Sequence, residues 1–113
     1  MKNNIAVYGA YGHTGKFIVS QLLHQGFNQV ICGRDKEKLL SYSQQYSNLE
    51  TKVADINQPN SLYSAFSDSE IIINCAGSYL DTAEPIIQSA LRLGKTYIDL
   101  SAEQKSVLDL FPK

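Results

Sequence analysis

Short apolar runs alternate along the chain with stretches in which apolar positions recur every three or four residues. Ile5-Ala6-Val7-Tyr8 is a run of four that ends at Gly9, which predicts a buried strand. Gly15, Ile18, Val19, Leu22 and Leu23 then share one helical face, and Gly26 offers the left-handed residue that stops a helix. Val30-Ile31-Cys32-Gly33 is a second run, after which Asp35 can cap a helix whose inner side carries Leu39, Leu40, Ser43 and Tyr46. Thr51-Lys52-Val53-Ala54 predicts a third, less apolar strand. Pro59 suits the first turn of the next helix, with Leu62, Ala65 and Phe66 on its apolar face. Ile71-Ile72-Ile73-Asn74-Cys75 sets three β-branched residues in a row, as in a sheet covered on both faces. Asp81 or Thr82 can cap a fourth helix with a face of Ile86, Ile87, Ala90 and Leu91, ended by Gly94. Thr96-Tyr97-Ile98-Asp99 is a fifth strand. Ser101 and Gln104 have the spacing of a capping box ahead of Val107, Leu108 and Phe111, and Pro112 would stop that last helix.

Strict alternation of strand and helix builds a parallel sheet joined by right-handed crossovers. The expected fold is α/β: a doubly wound parallel sheet of about five strands in the order 3-2-1-4-5, with helices on both faces. Residues 1–113 are expected to form one domain, because 113 residues fit one compact unit. A content of 43% apolar residues is enough for a core without disulfide or metal support. A net charge of −1 gives no reason to expect nucleic acid or a membrane surface as partner, and no apolar run reaches the length of a span. The start leads directly into the first strand with no visible signal peptide. Cys32 and Cys75 close apolar runs without metal-ligand spacing, so reduced thiols in a cytoplasmic protein are expected.

The main chemical signal lies between the first strand and the first helix, Gly9-Ala10-Tyr11-Gly12-His13-Thr14-Gly15. Gly9 allows a tight exit from the strand, Gly12 lets a pyrophosphate approach the backbone, and Gly15 lets the helix pack close. Amides at the helix start then face the phosphates, assisted by the helix dipole. The loop from Gly9 through Tyr11, Gly12, His13 and Thr14 to Gly15 is therefore the expected phosphate cradle of a Rossmann-type dinucleotide domain, His13 and Thr14 giving amides and one hydroxyl. The spacing is GxxGxxG, which also occurs in plain turns; strand and helix on either side favour the ligand. No Gly-Lys-Ser/Thr follows, which excludes a P-loop.

An NAD domain places an acidic residue at the end of its second strand for the ribose 2′-hydroxyl. Here Gly33 holds that position and Arg34 follows, with Lys38 one turn on. A guanidinium pairs with a 2′-phosphate and stacks on adenine, so the expected cofactor is NADP, with NAD less favoured. Asp35 is assigned to the helix cap, with the ribose hydroxyl as its alternative. Asp55-Ile56 follow the third strand, where an aspartate either meets the adenine amino group or makes a turn; both readings stay open. Cys75-Ala76-Gly77 end the fourth strand with small residues, against which ribose and phosphates can lie.

The loop, Gly33-Arg34-Asp35 with Lys38-Leu39, Asn74-Cys75-Ala76-Gly77, Glu84-Pro85 and Tyr97-Ile98-Asp99-Leu100-Ser101 together resemble the N-terminal NADP-binding domain of the saccharopine dehydrogenase-like family, in the same order over nearly the whole chain. The family loop reads Gly-Ala-Thr-Gly-Tyr-Thr-Gly; Tyr11 and His13 depart from it, as do Ser78 and Asp81-Thr82-Ala83 further on. The resemblance implies an oxidoreductase whose C-terminal substrate domain is missing here.

None of the seven tyrosines has a lysine four residues on, and there is no nucleophile elbow, paired-carboxylate motif or zinc motif. Asp99, Ser101 and Glu103 either face a substrate or cap the last helix, and capping is favoured. No catalytic residue is assigned. Three readings remain: the cofactor half of an NADP-dependent oxidoreductase, inactive alone, a non-catalytic NmrA-like dinucleotide sensor, or a Rossmann-like structural domain that no longer binds nucleotide. The expected partners are the cofactor, a substrate domain and a second copy in a homodimer.

Overall fold

The computed structural model describes residues 4–10, 13–46, 48–76 and 80–100. Five strands, β1 (Asn4–Tyr8), β2 (Asn28–Gly33), β3 (Glu50–Val53), β4 (Ile71–Asn74) and β5 (Thr96–Asp99), alternate with α1 (His13–His24), α2 (Lys36–Gln45), α3 (Pro59–Phe66) and α4 (Leu80–Leu93). All pairings are parallel, and the order is β3-β2-β1-β4-β5, as the alternation predicts. The expected last helix, from Ser101 to Pro112, lies outside the described residues.

Side chains alternate between the two faces of a strand, so β1 feeds two cores. Ile5 and Val7 join Ile31 and Ile73 under Ile18, Val19 and Leu22 of α1 and Leu39 and Tyr42 of α2. Ala6 and Tyr8 join Val30, Cys32 and Ile72 under Leu62, Ala65 and Phe66 of α3 and Ile86 and Ala90 of α4. Burial on both faces is why β1, β2 and β4 read as continuous apolar runs.

Three helix-face expectations need correcting. Leu23, Leu40 and Leu91 are exposed. Each follows a residue that is buried, Leu22, Leu39 or Ala90, and consecutive helix residues lie about 100° apart. In these three pairs that step carries the second residue out of the inward arc, whereas Ile18 and Val19 straddle the middle of theirs and are both buried. Two boundaries also move. β3 begins at Glu50, although the Ala54 amide still donates to the Gly33 carbonyl at 2.8 Å. Asp81 and Thr82 stand within the first turn of α4 and not at its cap, since neither glycine nor proline between Leu80 and Ala83 prevents an earlier start. Gly26 and Gly94 close α1 and α4 as expected.

The register places Tyr8 beside Cys32 and Asn74, and Asn74 beside Asp99. All the strands therefore end together, and the segments after them form one carboxyl edge.

Candidate functional site

The chain leaves β1 toward β2 over one face and reaches β4 over the other. The β1–β4 boundary is thus the switch point, where a crevice opens in sheets of this kind. Gly9 sits there with φ 80°, a conformation that L side chains rarely adopt. A Cβ on Gly9 would stand 2.5 Å from the Ala76 Cα, so the exits of β1 and β4 touch backbone to backbone. A Cβ on Gly15 would stand 2.3 Å from the Gly9 carbonyl oxygen and 2.6 Å from that of Ala10. The third glycine is thus required by the loop's own carbonyls, a sharper reason than approach to the sheet.

α1 starts at His13, so the amides of its first turn, His13, Thr14 and Gly15, precede the first possible intrahelical bond. They lie at the carboxyl edge. The Gly9 amide is used, donating to the Cys32 carbonyl at 3.0 Å. Thr14 is half-buried and Ala10 fully buried. Tyr11 and Gly12 lie outside the described residues.

At the end of β2, Gly33 is buried and Arg34 exposed. The Lys38 amide donates to the Asp35 carboxylate at 3.1 Å, the capping role expected of that aspartate. Lys38 lines a cleft of about 430 Å³ between α1 and α2, together with Lys16, Glu37, Ser41, Tyr42 and Gln45. Lys16 had no place in the sequence reading, because nothing in a linear pattern sets it opposite α2. Asp55 accepts from the Asn57 amide at 2.9 Å, and its own amide donates to the Ser61 hydroxyl oxygen at 2.9 Å. The turn role is therefore filled. Ile56 packs, half-buried, against the second core. A second cleft of about 400 Å³ lies at the opposite, amino end of the sheet, among Asn4, Phe27, Gln29, Asn48, Lys52 and Asp68. It has no glycine cradle, and the Lys52–Asp68 ion pair at 3.4 Å occupies part of its lining.

The β4–β5 side carries a network that the sequence reading missed. Asn74 is fully buried at the end of an isoleucine run. Its side-chain Oδ1 accepts from the Ala76 amide at 3.0 Å, and its side-chain Nδ2 donates to the Tyr97 hydroxyl at 3.1 Å. That hydroxyl donates to the Asp99 carboxylate at 2.9 Å. Burial, with the Asp99 charge adding to it and the Asn74 hydrogen bond opposing it, pushes the Tyr97 phenol up to about 12. Two signals were present: a buried polar residue must find partners, and Tyr97 and Asp99, two apart on a strand, share a face. Cys75 is buried, and its amide donates to the Tyr8 carbonyl at 2.8 Å. Burial pushes the Cys75 and Cys32 thiols up to about 12, so neither is a reactive thiolate at neutral pH. Gly77 lies outside the described residues.

The fit to a dinucleotide rests on these observations: two glycine positions where a Cβ would strike backbone, a helix start at the switch point and an exposed arginine ending β2. Among the described residues no three His, Cys, Asp or Glu side chains gather to hold a metal, and no helix is long and apolar enough to cross a membrane.

The family model described as the saccharopine dehydrogenase NADP binding domain matches residues 5–112. A saccharopine dehydrogenase-like oxidoreductase of Bos taurus is 26% identical over 118 residues, covering 88% of this chain and 28% of that protein. The apo histidine-tagged saccharopine dehydrogenase (L-Glu forming) of Saccharomyces cerevisiae superposes with a TM-score of 0.76 at 15% identity, over 96% of this chain and 24% of that one. The triphenylmethane reductase of Citrobacter sp., solved with NADP(H), gives 0.67 at 26% identity, over 83% of this chain and 35% of that one. The chain thus spans little more than a quarter of the bovine relative's length.

Proposed function

We propose a role that proceeds from one fact: this chain belongs to the saccharopine dehydrogenase NADP binding domain family. It is the cofactor-holding part of an NADP-dependent oxidoreductase, and a substrate domain in the same assembly completes the reaction. The phosphates lie on the loop from Gly9 through Tyr11, Gly12, His13 and Thr14 to Gly15. Arg34 and Lys38 hold the 2′-phosphate, Asp55 and Ile56 border the adenine, and Cys75, Ala76 and Gly77 border the nicotinamide half. When bound, the cofactor supplies or accepts a hydride. The chain's own residues bind and orient it. The observation that carries this reading is the close approach of Gly9 to Ala76 and of Gly15 to the Gly9 carbonyl, with Arg34 exposed just after β2. Two buried free thiols support a reducing, cytoplasmic setting, and Leu91, 69% exposed, supports self-association as a homodimer.

Calorimetric titration with NADPH and NADH tests the assignment. NADPH is expected to bind more tightly, by about 10-fold to 100-fold, the worth of a charge-assisted contact to phosphate. Arg34→Ala should remove most of that gap and weaken NADH, which shares only the adenine stacking, far less than NADPH. Equal affinities in the unaltered chain, or an unchanged gap in Arg34→Ala, would overturn the reading.

A further inference from the structure

The Asn74–Tyr97–Asp99 network has no role in the cofactor contacts just described, yet it ends on the backbone that borders them. The Ala76 amide is bound to Asn74, and the Cys75 amide to Tyr8. Neither is available to an anion. What the β4 exit contributes to the crevice is therefore its position. That position is tightly set on one side, where Ala76 meets Gly9 with no space for a single methyl group. On the other side the only side-chain hold seen on Ala76 among the described residues is the Asn74 carboxamide. Asn74 is oriented in turn by the Tyr97 hydroxyl, which is itself oriented by Asp99.

We propose that Asp99, Tyr97 and Asn74 form a hydrogen-bonded strut that presses the β4 exit against Gly9, so that Tyr97 and Asp99 set NADP(H) affinity as positioning residues without touching the cofactor. The proposal rests on the cofactor reading above for its binding arm only. The chemistry suits a strut. Asn74 is fully enclosed, so it keeps one orientation only while both ends of its carboxamide are paired. The Tyr97 hydroxyl accepts from Asn74 and donates to Asp99, which fixes which end of the carboxamide faces Ala76. Remove the hydroxyl and the buried amide group has lost its acceptor. The carboxamide is then held at one end only, by the Ala76 amide, with an unpaired donor at the other, and the hold on the β4 exit loosens.

The test is made on the whole chain, first without cofactor, by amide hydrogen exchange, and then with NADPH by calorimetry. Tyr97→Phe keeps the ring and deletes the hydroxyl. Exchange at Ala76 is expected to accelerate about tenfold. NADPH affinity should fall about fivefold to thirtyfold, the effect of leaving a buried donor unpaired. With Tyr97 intact, Asp99→Asn still offers it an acceptor and should keep both values near those of the unaltered chain, whereas Asp99→Ala should not. Ile86→Val, a core change on α4 of comparable stability cost, serves as control and should leave Ala76 exchange unmoved. Equal behaviour of Tyr97→Phe and Ile86→Val in both readouts would overturn the strut, leaving only a general stability effect. A chain that ignores NADPH while Ala76 exchange still answers to Tyr97→Phe would sink the cofactor reading and leave the strut standing.

Discussion

The two halves of the carboxyl edge are built on opposite principles. On the β1–β2 side backbone donors are left over: the first turn of α1 has amides without helical partners, and Arg34 stands in solvent. On the β4–β5 side the described strand exits are tied inward, with the Cys75, Ala76 and Leu100 amides bound within the protein and Asn74, Tyr97 and Asp99 bound to one another. One half offers charge recognition, and the other offers shape. A ligand anionic at one end and planar and weakly polar at the other matches that division. A purely anionic ligand would waste the second half. The two halves meet at Gly9 and Ala76.

That junction gives the largest expected effect. Gly15→Ala puts a methyl group 2.3 Å from a backbone carbonyl oxygen that cannot rotate away, and Gly9→Ala adds a φ of 80° to a 2.5 Å clash. Each should cost upward of about 4 kcal/mol, a large part of the roughly 5–15 kcal/mol that holds a domain of this size. Ala76→Gly, on the other side of the same contact, removes one methyl and should cost no more than about 1 kcal/mol. Urea unfolding midpoints separate the three. A Gly15→Ala chain as stable as the parent would show that the loop does not close on itself as described.

Each half also holds one buried thiol, Cys32 on β2 and Cys75 after β4, and alkaline titration compares them. Both are raised from an ordinary 9.0 to about 12 by burial. Below pH 9 the thiol is protonated in folded and unfolded chains alike, and stability should not vary on its account. As pH rises above 9 the unfolded chain gives up the proton and the folded chain keeps it. The unfolded state then binds fewer protons, and stability falls with rising pH, by at most about 1.4 kcal/mol per pH unit for each thiol. Between pH 9 and 10, before the tyrosines add their own share, Cys32→Ala and Cys75→Ala should each remove a comparable part of the slope. A slope that survives one of the substitutions intact would mean that water reaches the thiol in that half.

The halves differ as well in how far they can be read from the sequence. The β1–β2 side depends on residue types that local geometry demands, so Gly9, Gly15 and the Asp35 cap are visible as letters at fixed spacing. The topology is visible for the same reason, since periods of two and of three to four set strands and helices in order. The β4–β5 side depends on a tertiary pairing. Asn74 meets Tyr97 across 23 residues only because β4 and β5 are in register, and nothing local to either residue announces it. Lys16 opposite Lys38 was hidden in the same way. The leucines at positions 23, 40 and 91 failed for another reason: a step of about 100° keeps some adjacent apolar pairs inside the buried arc, as with Ile18 and Val19, and carries the second residue out of it in others, and the pattern alone does not say which.

The smallest expected effect bears most directly on whether the β1–β2 half reads a phosphate or a hydroxyl. The Asp35 carboxylate accepts from the Lys38 amide, and loss of such a cap costs about 1 kcal/mol. Asp35→Ala should therefore lower the urea midpoint by a corresponding small amount. If the carboxylate is committed to the helix, the ratio of NADPH to NADH affinity should not change, because the charge that selects the phosphate belongs to Arg34. If Asp35 instead reaches the ribose, its removal would weaken NADH selectively and widen the ratio, since an NADH ribose would lose its acceptor while a 2′-phosphate would lose a repelling neighbour. A widened ratio with an unchanged midpoint would transfer Asp35 from the fold to the site and make the β1–β2 half a reader of both cofactors. A lowered midpoint with the ratio preserved would keep selection on the guanidinium, as the 3.1 Å cap requires.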